Sequence, residues 1–459
     1  MLSNTPLKIL LVEPDYPNKF PPLGLLKIGT YHKQRGDMVS FVKGFIKKEK
    51  RFCFDRVYIS TLFSFYHEKT INTILYYKKL LNGDIRKIFV GGIYSSLNPM
   101  IIFNETGVYP IVGLLDKHGI LGNDKVIIDS LTPAYDLLDQ VDYEYGLKDT
   151  YIGYTTRGCP NHCPFCAVPR LEPIFIEYID IKPYIKNIKD LYGEKNNLVL
   201  MDNNVLASRY LRKIIDDLKS LGFERDGKIK GRKRTVDFNQ GIDVRYVNSK
   251  TAGMLSEICA EPIRLAYDHV NIRKVFERGV MALRGLGIKD LSTYMLYNYM
   301  DTPKDLYIRL RHVVDLNKEL DTKIYSFPMR YTPLDAQNRK HVGAGWTPKQ
   351  IRGLQCILNV TKGLVSHRED FFMKAFGENP EEFEEIILMP DDYILQRYKY
   401  ENNGAFEWKT IFKHLTTRQK NDFHEIVGTN DQIRIRERYA SSKSIRIKKI
   451  LEHYIEGKR

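Results

Sequence analysis

The chain has 459 residues, 43% of them hydrophobic, and a formal net charge of +15 at pH 7. That length accommodates two or three domains, and the hydrophobic share is that of a folded protein, which excludes a disordered chain. No apolar run at the N-terminus approaches the roughly 20 residues of a membrane span, and six cysteines in so long a chain do not make a disulfide framework, so the expected compartment is the cytoplasm.

In chain order, Lys8 to Val12 reads as a strand, Leu23 to Arg35 as a helix, Met38 to Val42 and Arg56 to Ser60 as strands, Glu68 to Leu81 as a helix and Lys87 to Val90 as a strand ending in Gly91-Gly92. Alternation of this kind predicts a parallel sheet covered on both faces over residues 1–125. His32, on the first helix, reads as a surface or internally satisfied histidine. Residues 126–147 read as a linker. From 148 to 335, six strands are predicted: Tyr151 to Thr155, Leu198 to Met201, Val236 to Asn239, Arg264 to Tyr267, Thr293 to Tyr297 and Lys323 to Phe327. Helical segments, Lys182 to Tyr192 and Arg209 to Leu221 among them, lie between most of these strands. Repeated βα units suit a partial barrel working at the carboxyl ends of its strands. Residues 336–459 read as mainly helical and basic, with Thr347-Pro348 as a helix start and Trp408, Ile411, Phe412 and Leu415 on one helical face. The fold class is therefore α/β: an N-terminal Rossmann-like parallel sheet, a central partial barrel and a helical C-terminal region.

The chemistry concentrates in Arg157-Gly158-Cys159-Pro160-Asn161-His162-Cys163-Pro164-Phe165-Cys166. Three thiolates at C-x3-C-x2-C spacing on a Gly- and Pro-containing loop can close around one face of an iron-sulfur cube, leaving its fourth iron open to a small molecule. Structural zinc with His162 as a fourth ligand is the alternative, although such sites usually bring their ligands as two separated pairs.

The spacing, the aromatic Phe165 before the third cysteine and the run Asp149 to Thr156 leading into the loop resemble the radical S-adenosylmethionine (radical SAM) superfamily. The resemblance implies a (β/α)6 barrel and a [4Fe-4S] cluster on Cys159, Cys163 and Cys166. It also implies S-adenosylmethionine chelated to the open iron and cleaved reductively to a 5′-deoxyadenosyl radical, the electron coming from a reductase, flavodoxin or ferredoxin. The segments Phe20-Pro21-Pro22-Leu23-Gly24-Leu25-Leu26, Gln34-Arg35-Gly36-Asp37 and Val90-Gly91-Gly92 resemble the cobalamin-binding-type domain that precedes many radical SAM cores. The D-x-H-x-x-G signature of one cobalamin class is absent after the first strand, where the chain reads Glu13-Pro14-Asp15-Tyr16-Pro17. Relatives of this kind include some that bind cobalamin without that histidine and some that do not bind it, and cobalamin stays open here.

Around the cluster, Asp202 and Asn203, at the end of the second barrel strand, are candidates to accept from or donate to the cofactor, with helix capping by Asp202 as the alternative. Gln240 and Arg245 are candidates after the third strand, where an Asp243–Arg245 salt bridge is the alternative. Asp268 is the candidate for ribose contact after the fourth strand. Cys53, Cys259 and Cys356 are scattered singly and read as small buried residues, which removes the methylthiotransferase arrangement with its second cluster. A nucleic-acid-binding protein with a structural metal and a basic tail is the alternative function, unsupported by any base-reading motif. The sequence does not specify the substrate.

Overall fold

The computed structural model describes residues 5–46, 54–122 and 125–455. They form two compact units. The first runs to Gln240 and adds 257–261 and 332–341; the second holds 241–256, 262–331 and the chain from 342 onward. The division falls inside the segment read as the barrel.

The first unit opens with β1 (Lys8–Glu13), α1 (Leu23–Gln34), β2 (Met38–Lys43), β3 (Arg56–Thr61), α2 (His67–Leu80) and β4 (Ile88–Gly92), within a residue or two of the predicted bounds. The sheet is parallel throughout, in the order β2-β1-β3-β4, with Leu10 opposite Ser40 and Val57. Central β1 needs a continuous apolar run because both of its faces are covered. Leu10 and Val12 join a core with Ile74, Tyr77 and Val90, while Ile9 and Leu11 join the opposite core with Leu25, Leu26 and Phe41. Each such side chain contributes about 1.5–3 kcal/mol of burial. Gly92 turns the chain from β4 into α3 (Ile93–Leu97), followed by α4 (Pro99–Thr106); its φ of +111° and the close approach of the Thr61 backbone leave no room for a Cβ.

His32 is an internally satisfied histidine, one of the two expected states: it is buried, with Nδ1 2.7 Å from Asp37 and Nε2 3.0 Å from the Tyr58 hydroxyl. Burial lowers its pKa, with Asp37 opposing. The stretch 126–147 is no free connector, because Ile128, Ala134, Leu137 and Tyr145 are buried in the same core as Ile9 and Leu11. Its irregular backbone hid this, since it carries no periodic pattern for a reader to detect.

The unit continues with β5 (Thr150–Gly153), α5 (Val168–Leu171), α6 (Lys182–Tyr192), β6 (Asn197–Leu200), α7 (Leu211–Ser220), a small hairpin of β7 (Lys228–Ile229) and β8 (Arg232–Lys233), and β9 (Val236–Phe238). Strands β5, β6 and β9 form a parallel sheet in that order.

In the second unit, α8 (Ser249–Ser256), β10 (Ile263–Ala266), α9 (Arg273–Arg284), β11 (Asp290–Tyr297), α10 (Pro303–Leu320) and β12 (Lys323–Arg330) give a second three-stranded parallel sheet in the order β10-β11-β12. All six strands read as the barrel are thus present, as two parallel sheets of three. Helix α11 (Pro348–Val360) starts at the predicted Thr347-Pro348, where Thr347 and Gln350 complete a capping box. Eight further helices follow among the described residues, from Glu369–Phe376 to Ile445–Glu452. Trp408 stacks on Phe412 at 4.9 Å and both are buried with Leu415, as the helical spacing predicts, while Ile411 is half-buried.

Arg309 on α10 is fully buried and binds Asp301 at 2.6 Å and the carbonyl oxygens of Tyr267 and Leu296 at 3.1 and 2.8 Å. It thereby ties the carboxyl ends of β10 and β11 together. Substitution Arg309→Met breaks this buried pair and should cost about 3 kcal/mol or more. The check is a denaturant midpoint well below that of the parent protein.

Candidate functional site

The cysteine loop leaves the carboxyl end of β5, and the segment after β6 holds it. Asp202 is fully buried and accepts four hydrogen bonds at Oδ1: from the backbone N–H and hydroxyl of Thr155 at 3.1 and 2.6 Å, and from those of Thr156 at 2.5 and 2.7 Å. Burial pushes its carboxyl pKa up, against these donors. Asp202 therefore neither caps the following helix nor faces a cofactor with an uncommitted carboxylate; it anchors the start of the loop.

Arg157 is next and is also buried, a cost the fold meets with partners on three sides. Its guanidinium lies 2.7 Å from Glu172, 3.3 Å from Asp129 and 4.0 Å above the Tyr154 ring. Its backbone pairs with Ile176 in both directions. Glu172 does more than neutralise it, because its Oε2 also accepts from the Gly158 N–H at 2.6 Å and from the Asn203 amide at 2.7 Å. Asn203, expected to touch the cofactor, is thus bound to Glu172. Asn204 is buried and points its Nδ2 at Cys159 Sγ, 3.5 Å away.

Gly158 has φ +73°, and a Cβ there would strike the Ile174 carbonyl and lie 2.9 Å from that of Glu172. We expect Gly158→Ala to displace the loop at a cost on the order of 1–3 kcal/mol. Iron content after anaerobic reconstitution is the readout, and it should fall well below the parent value.

Cys159, Cys163 and Cys166 are in no disulfide and are half-buried. Their surroundings suit sulfur anions: Asn161 N–H lies 3.4 Å from Cys159 Sγ and Val168 N–H 3.5 Å from Cys166 Sγ. Such N–H···S bonds are the contacts that iron-sulfur thiolates use. Cys259 and Cys356 differ, since both are buried and burial raises their thiol pKa to about 11. Cys53 lies outside the described residues. Among the described residues no three His, Cys, Asp or Glu side chains gather tightly enough for one metal ion, zinc with the exposed His162 included. A cube asks for a wider set, because each thiolate binds a different iron.

Phe165 is half-buried beside Cys166. Gln240 is exposed with its amide 3.9 Å from Met201 Sδ. Arg245 and Asp268 belong to the second unit. Arg245 forms the two-pronged bridge to Asp243, at 2.8 and 2.6 Å, that was the alternative reading. Asp268 accepts from the Leu296 N–H at 3.1 Å, and burial pushes its carboxyl pKa up, with that N–H opposing. The structure therefore brings Asp202, Asn203 and the cysteine loop together in one unit, and adds Arg157, Glu172, Asp129 and Asn204, which the sequence reading did not single out. One signal was available: an arginine just before a cysteine loop needs a carboxylate if it is buried, and Glu172 follows the last cysteine by one short helix, α5.

No family model matches the chain, and no curated protein sequence matches it. Solved structures do. Over 85% of this chain and 86% of the other, the fold matches that of the radical S-adenosylmethionine methyltransferase TsrM from Kitasatospora setae with cobalamin and a [4Fe-4S] cluster bound, at a TM-score of 0.51 and 15% identity. TsrM with its tryptophan substrate and the S-adenosylmethionine analogue aza-SAM matches at a TM-score of 0.50 and 14% identity, over 76% of each chain. At this identity the likeness establishes the fold: an α/β architecture shared with a radical SAM methyltransferase. No described helix is long and apolar enough to cross a membrane.

Proposed function

We propose that the chain is a radical SAM enzyme whose cluster is held by Cys159, Cys163 and Cys166. The observation that carries this reading is the loop itself: three thiols outside any disulfide at C-x3-C-x2-C spacing, two of them receiving N–H donors, on a loop fixed at both ends, within a fold shared with TsrM. Bound there, a [4Fe-4S] cluster would supply the electron that cleaves S-adenosylmethionine to methionine and a 5′-deoxyadenosyl radical. The protein's part is to hold and shield. Asp202 fixes the entry to the loop, Glu172 and Arg157 fix its first turn, and the N–H donors stabilise charge on sulfur. The cluster would take one electron at a time from an external donor of flavodoxin or ferredoxin type. Anaerobic reconstitution should give a brown protein absorbing near about 400 nm, with iron and sulfide in matching amounts. A colourless protein that takes up zinc in place of iron would contradict it.

Cobalamin is the second reading, favoured by the N-terminal parallel sheet. In the order β2-β1-β3-β4 the strands are added to one side of β1 and then to the other, so the winding switches between the parallel neighbours β1 and β3, and ligands of such sheets sit at the carboxyl edge of that position. The residues there supply no imidazole after β1. Tyr16 is buried and stacked on Tyr66 at 4.9 Å, and Glu13 is held by Lys43 at 2.9 Å and by the Tyr145 hydroxyl. His67 has Nδ1 2.8 Å from the Tyr94 hydroxyl and Nε2 3.2 Å from Glu105. A corrinoid here would receive no histidine from the segment after β1, and His67, after β3, is engaged by Tyr94 and Glu105. Protein produced with excess cobalamin and then desalted should retain corrinoid absorption on this reading; a colourless corrinoid-free product would exclude it and, with it, methyl transfer from cobalt.

A further inference from the structure

The three residues after β6 divide their work. Asp202 is spent on Thr155 and Thr156, and Asn203 on Glu172. Asn204 alone of the three reaches a cysteine sulfur, with Nδ2 3.5 Å from Cys159 Sγ. It is 2% exposed, so water does not compete for its amide, and its two anchored neighbours fix the backbone that carries it. Cys159 therefore receives two donors, the Asn161 backbone N–H and this amide, while Cys166 receives the Val168 backbone N–H.

An N–H donor on a thiolate ligand stabilises the more negative, reduced state of a cluster and raises its potential. Backbone donors accompany the loop whatever its side chains are. The Asn204 amide is supplied by a side chain and can be altered without touching the loop. We propose that Asn204 is a positioning residue that sets the reduction potential of the cluster through its bond to Cys159, a role that rests on reading this loop as the cluster site. Without that bond, the external one-electron donor must be a stronger reductant.

The test uses the full-length protein, reconstituted anaerobically and titrated with dithionite and redox mediators while the reduced cluster is followed by electron paramagnetic resonance. Asn204→Leu should keep its iron and shift the midpoint to a more negative potential. Asn204→Asp, which sets a carboxylate beside the sulfur, should shift it further in the same direction. Cys259→Ala, which removes a buried thiol outside the loop, should leave the midpoint where it is. Should Asn204→Leu fail to fold, Asn204→Ala carries the same prediction with less apolar bulk. A parental midpoint in a fully loaded Asn204→Leu or Asn204→Ala variant overturns the proposal. Loss of the cluster from both, with Cys259→Ala still loaded, overturns it too, because Asn204 would then be needed for assembly and not for tuning. A parent protein that assembles no cluster is a separate failure, that of the functional reading.

Discussion

Replacement of Cys163 with alanine should abolish the cluster outright: no absorption near about 400 nm and no more than background iron after reconstitution. The loss should be complete because a cube held by three thiolates has no spare ligand in the loop. His162 is exposed, and Cys259 and Cys356 are buried with their thiol pKa raised to about 11. The same outcome is expected for Cys159→Ala and Cys166→Ala, whereas Cys259→Ala and Cys356→Ala should leave iron content at the parent value. Iron analysis of all five variants separates the loop from a scattered or adventitious binding mode.

The second large effect is expected at Glu172, which looks unremarkable in sequence. One carboxylate meets the Arg157 guanidinium at 2.7 Å, the Gly158 N–H at 2.6 Å and the Asn203 amide at 2.7 Å. Removing it leaves a buried guanidinium with Asp129 at 3.3 Å as its remaining carboxylate, and two polar groups without an acceptor. Breaking a buried pair costs about 3–5 kcal/mol, and the presence of Asp129 places Glu172→Ala near the lower end, about 3 kcal/mol. The strain falls on the segment that carries Cys159, so cluster retention should suffer before the fold does. Glu172→Gln keeps a hydrogen-bonding oxygen but loses the charge, and should fall between parent and alanine variant. Thermal melting of the unreconstituted protein together with iron content after reconstitution checks both parts.

The sequence made the periodic parts of the fold legible. The run Ile9-Leu10-Leu11-Val12 and its neighbours predicted a doubly covered parallel sheet, and the strands appear within a few residues of their expected bounds. The cysteine spacing pointed to a candidate ligand set because its residue types and intervals are rare outside metal chemistry. Residues 126–147 were misread because an irregular segment buries apolar side chains without any period. Asp202 and Asn203 were read as cofactor contacts from their place at a strand end. A strand end is where a working edge is expected, but sequence does not say which polar neighbours will claim a carboxylate first. Arg245 shows the same limit, since a partner two residues away at Asp243 satisfies it locally. Glu172 is not marked in the sequence, and Asn204 is marked only as a neighbour of Asp202, because their significance depends on which residues sit opposite them in space.

The most direct test is anaerobic incubation of the reconstituted protein with dithionite and S-adenosylmethionine, followed by mass spectrometry for 5′-deoxyadenosine. We expect 5′-deoxyadenosine to accumulate with the parent protein and to be absent with Cys163→Ala. A parent protein that carries its full cluster and leaves S-adenosylmethionine intact would contradict the assignment.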